Sequence, residues 1–69
     1  MKELSKYIGS DKYSDRSARV LWCAINREFF VDMQKDGFSE LRSMNPHNER
    51  YAEDCAENFV MGYGEFNSE

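Results

Sequence analysis

The chain has little of what breaks or staples a fold. It holds one proline and four glycines, and neither type falls between Ser14 and Asp36. Two cysteines, Cys23 and Cys55, are too few for the disulfide framework of a small secreted scaffold. They read as reduced, buried small hydrophobes. One histidine, His47, gives no Ser–His–Asp arrangement, and without close-spaced cysteine partners it gives no metal set with Cys23 and Cys55. There is no glycine-rich phosphate loop and no metalloprotease helix motif. No run approaches the roughly 20 apolar residues of a membrane span. Met1 to Gly9 is polar and charged, so a secretory leader is not expected and a cytoplasmic location is. An enzyme is disfavoured, because nucleophile, oriented base and pocket all lack candidates. No cofactor is implied.

What is present is an apolar stretch from Ser14 to Gly37, uninterrupted by glycine or proline before Gly37. Ser14 or Asp15 suits an N-cap, Lys35 a last helical turn, and Gly37 a stop. At ~100° per residue, Ala18, Leu21, Trp22, Ile25, Phe29 and Met33 share a broad face. Val20, Ala24 and Val31 form a second strip, with Cys23 and Phe30 nearby. A helix apolar on much of its circumference is buried between two partners. Glu28 and Asp32 read as a solvated or salt-bridged seam.

The other segments read as helical too. Leu4, Tyr7 and Ile8 have i, i+3, i+4 spacing, which predicts a short helix from Met1 to Ile8 stopped by Gly9. Phe38 to Asn45 reads as a connector with Phe38, Leu41 and Met44 turned inward; a strand is the weaker alternative, since an isolated strand would have no partner. Asn45-Pro46 suits a cap and first helical position, predicting a helix from Pro46 to Met61 stopped at Gly62. The expected fold class is all-α: a hairpin of two long helices closed by a short N-terminal helix, forming a single domain over 1–69. Residues 64–69 read as a fraying tail. A chain of this size buries only about 60% of its unfolded surface, so good packing or self-association is needed.

The formal net charge of −4 is uneven. Residues 1–44 carry eight Lys/Arg and seven Asp/Glu, whereas 45–69 carry one and six. Glu49, Glu53 and Glu57 stack at i, i+4 and i+8 with Asp54 beside them. Such like-charge pairs each cost roughly 0.2–0.5 kcal/mol, which Arg50 relieves only in part, and the plain reading is a solvated helix face. The functional reading is an acidic stripe that meets a basic surface on a larger protein, with Phe30 or Tyr63 as an apolar anchor. Spaced carboxylates also stand in for phosphates, so the partner class includes nucleic-acid-handling proteins. In size and charge the chain is similar to short acidic proteins that bacteriophages make to inhibit or redirect a host enzyme, a likeness that rests on no motif. This predicts a non-enzymatic regulator or inhibitor, acting in the host cytoplasm.

Two alternatives belong to other classes. Lys2, Lys6, Lys12, Arg16 and Arg19, interleaved with Tyr7 and Tyr13, suggest a nucleic-acid contact. Glu3, Asp11 and Asp15 interrupt this strip, and the pI of about 4.9 opposes it. A homodimer seam along Val20, Ala24 and Val31 is the second alternative.

Overall fold

A computed structural model describes residues 1–62. The described residues form four strands and one helix: β1 (Lys2–Ile8), a single 3-10 turn (Asp11–Tyr13), β2 (Ser17–Cys23), β3 (Glu28–Lys35), β4 (Phe38–Ser43) and α1 (Glu49–Val60). The strands make one antiparallel sheet in sequence order, β1-β2-β3-β4. The helix lies on one face of it, over β2 and β3 with a lesser contact to β1.

The all-α helical hairpin is therefore overturned. The stretch from Ser14 to Gly37 is a β-hairpin, not a helix, and Met1 to Ile8 is mostly strand. The reason lies in the period of two. Ala18, Val20 and Trp22 stand opposite Met33, Val31 and Phe29 across the β2–β3 ladder, and all share the helix-covered face. Arg19 with Asp32 and Leu21 with Phe30 fall on the opposite face by the same register. Branched and aromatic side chains at these positions fit a pleated surface better than a helix.

The turn inside that stretch was hidden by its composition. Ala24–Arg27 reverses the chain with neither glycine nor proline. Arg27 itself takes the left-handed conformation (φ 56), and its N–H donates to the Cys23 carbonyl at 2.8 Å. The β3–β4 turn is plainer. Asp36-Gly37 is a two-residue loop between Lys35 and Phe38, and Gly37 adopts φ 80. Gly37 thus closes a hairpin instead of stopping a helix.

The last helix is where the sequence placed it, but shorter. Asn45-Pro46, joined by a cis peptide bond, lies in the connection, and the cap is Asn48, whose side chain accepts from the Tyr51 N–H at 3.0 Å. Ala52, Ala56, Phe59 and Val60 face the sheet and are buried. The two alanines let α1 sit close over Val20 and Val31, both 0% exposed. Phe59 and Met33 fill the remaining space, and full burial of such a side chain contributes about 1.5–3 kcal/mol. Met44 closes the core where β4 leaves for the helix. No helix among the described residues is long and apolar enough to cross a membrane.

Candidate functional site

Arg16 fixes the C-terminal end of α1. Its Nη1 donates to the Phe59 carbonyl at 2.9 Å, and the guanidinium lies 5.0 Å from the Tyr13 ring centre and 5.1 Å from that of Phe59. A cation at helix-end carbonyls is favourable, and α1 has no basic residue in its own last turn. Gly9 and Gly62 let the chain close around Tyr13, since a Cβ on Gly9 would stand 2.0 Å from the Tyr13 carbonyl oxygen. At the other end, His47 stacks on Tyr51 with ring centres 3.7 Å apart.

So held, α1 displays its carboxylates. Glu49, Asp54 and Glu57 are exposed and Glu53 is half-buried. Among the described residues none of the four forms an ion pair. Cys55 lies on the opposite flank of the helix, toward Arg42 of β4. Burial raises its thiol pKa, and the nearby Arg42 offsets this in part. The acidic row therefore runs along the flank nearer β1.

Phe30 does not join this row. It sits opposite Leu21 on the sheet face that α1 leaves uncovered, so the sheet stands between it and the carboxylates. Tyr63 lies outside the described residues. Met61, 47% exposed and one turn beyond Glu57, is the apolar group the sequence reading missed. The signal was its i+4 spacing from Glu57.

The remaining candidates separate. Val20 and Val31 are buried inside the chain's own core and Ala24 lies in an exposed turn, so the homodimer seam through them does not exist. Cys23 falls on the uncovered sheet face and Cys55 on the helix across the sheet; both are free. The basic residues make no continuous strip. Arg16 caps the helix, Lys2 and Lys6 belong to opposite sheet faces, and Arg19 pairs with Asp32 and with Glu3 (3.4 Å). The hydrogen bond to Asp32 is the main cause that holds the Arg19 guanidinium pKa above its ordinary value. No group of three or more His, Cys, Asp or Glu among the described residues is arranged to hold a metal.

The class these features define is a two-layer β-meander with one covering helix. Comparison with protein-family models, curated proteins and solved structures finds no match.

Proposed function

We propose that this chain is a non-enzymatic protein-binding module, a small acidic regulator or inhibitor of the bacteriophage type that works in a host cytoplasm. It docks the outward flank of α1 on a basic surface of a larger protein. Glu49, Glu53, Asp54 and Glu57 supply the charge, and Met61 supplies the apolar contact. A nucleic-acid-handling partner fits best, because carboxylates one turn apart, about 6 Å along a helix, mimic a row of phosphates.

The observation that carries this reading is the unpaired acidic row on a helix held by its other face. The row carries two costs, which Glu49 in the dipole-favoured first turn offsets only in part. Its members repel one another at one-turn spacing, and Glu57 lies toward the helix end where the dipole disfavours negative charge. Negative potential kept at such a cost favours encounter with a positive surface.

The test is capture from bacterial lysate by the native chain and by the Glu53→Lys/Glu57→Lys variant, with circular dichroism to show that both are folded. A host protein held by the native chain, lost with the variant and released by salt is the expected result. Undiminished capture by the folded variant would sink the acidic-row reading.

A further inference from the structure

Strand β4 is a sheet edge that matches itself. Its six residues pair with β3 without a register shift, and no strand lies beyond it among the described residues. The other edge differs. The β1 register is broken by a bulge between Glu3 and Ser5, and the strand carries Lys2 and Lys6. Bulges and edge lysines are the usual means of blocking strand addition. β4 has no bulge and no lysine, its two charges Glu40 and Arg42 neutralise each other, and Phe38 and Leu41 are 70% and 49% exposed.

The free backbone groups can be assigned. The Met44 N–H donates to the Phe29 carbonyl at 2.8 Å, which continues the β3–β4 ladder. By the antiparallel alternation, Phe38, Glu40 and Arg42 turn their N–H and C=O toward β3. Ser39, Leu41 and Ser43 turn theirs outward.

We propose that two copies of this chain pair through β4, antiparallel, about a twofold axis at Leu41. This register makes Leu41 a hydrogen-bonded pair with the partner's Leu41, and sets Ser39 against the partner's Ser43 in the same way, two bonds per pair. It also sets Glu40 opposite the partner's Arg42, and Arg42 opposite the partner's Glu40. These fall at the non-hydrogen-bonded positions, where Cα atoms approach to about 4.5 Å and side chains are closest. Within one chain Arg42 already holds Glu40, with Nη2 to Oε2 at 2.6 Å, so on pairing the same two charges serve both strands. An axis at Glu40 would oppose two glutamates, and an axis at Arg42 two arginines. Only the Leu41 axis is charge-complementary. The sheet becomes continuous across eight strands, twice the four described in one chain, with both helices on one side. This pairing rests on β4 alone and is independent of the acidic-helix reading.

The experiment is sedimentation equilibrium on the full chain, Glu40→Arg, and Glu40→Arg/Arg42→Glu, each shown by circular dichroism to be folded. The native mass should rise with concentration from 8.1 kDa toward twice that value. Glu40→Arg should weaken association about tenfold or more, because two attractions become two repulsions. The charge-swapped double variant should restore it. Amide exchange should slow with concentration at Ser39, Leu41 and Ser43, and not at Glu40 or Arg42. A native mass fixed at 8.1 kDa up to about 1 mM overturns the proposal. So does association that ignores Glu40→Arg or is not restored by the swap. A monomer that instead takes up an extended peptide along β4 would assign the edge to another protein.

Discussion

Glycines at two turns separate backbone strain from crowding. Gly37 has φ 80 and open space where a Cβ would go, so Gly37→Ala meets only the left-handed penalty, about 1–2 kcal/mol. Gly9 has no such φ, but its Cβ would strike the Tyr13 backbone, so Gly9→Ala should cost about 3 kcal/mol. Urea unfolding of the two variants checks the order, and equal losses would contradict this packing. Cys55 offers a pH test. Its thiol holds the proton more tightly folded than unfolded, where the ordinary pKa is 9.0. The associated stability is complete below that value and is lost as pH rises through the higher folded one. Native stability should therefore fall more than that of Cys55→Ala between about pH 8 and pH 10. Parallel pH curves for the two chains would remove the effect.

At the scale of elements, α1 depends on its cap. Asn48→Ala should cost about 1 kcal/mol by urea unfolding, whereas Asn45→Ala, three residues earlier in the connection, should cost little. The helix was legible because its signals are local: a proline before it, a glycine after it, and Ala52, Cys55, Ala56 and Phe59 on one side; Tyr51, read onto the same face, is instead exposed and stacks on His47. Of the strands only β4 was legible, as the lesser reading of its segment, and the cause lies in particular residues. Arg27 makes a left-handed turn that glycine usually marks, so nothing in the sequence divided β2 from β3. Leu21 and Phe30 put apolar groups on the outer sheet face, filling the polar gaps that show a period of two. Asp36-Gly37 was a readable hairpin signal, misassigned because a glycine also ends helices. The acidic row was visible as spacing. Its separation from Phe30 was not, since only the sheet puts them in different layers.

At the scale of the molecule, β2 and β3 lie between strands and beneath the helix, while β1 and β4 each have one neighbour among the described residues. Amide exchange in dilute solution should be slowest in β2 and β3 and faster along both edges; a uniform profile would count against this layering. In the proposed β4 pairing, the extra residue in β1 leaves each copy a valence of one. A sheet with two receptive edges adds copies indefinitely and makes fibres. With Leu4 disrupting one side, growth ends after a single addition, and raising the concentration fills pairs without lengthening them.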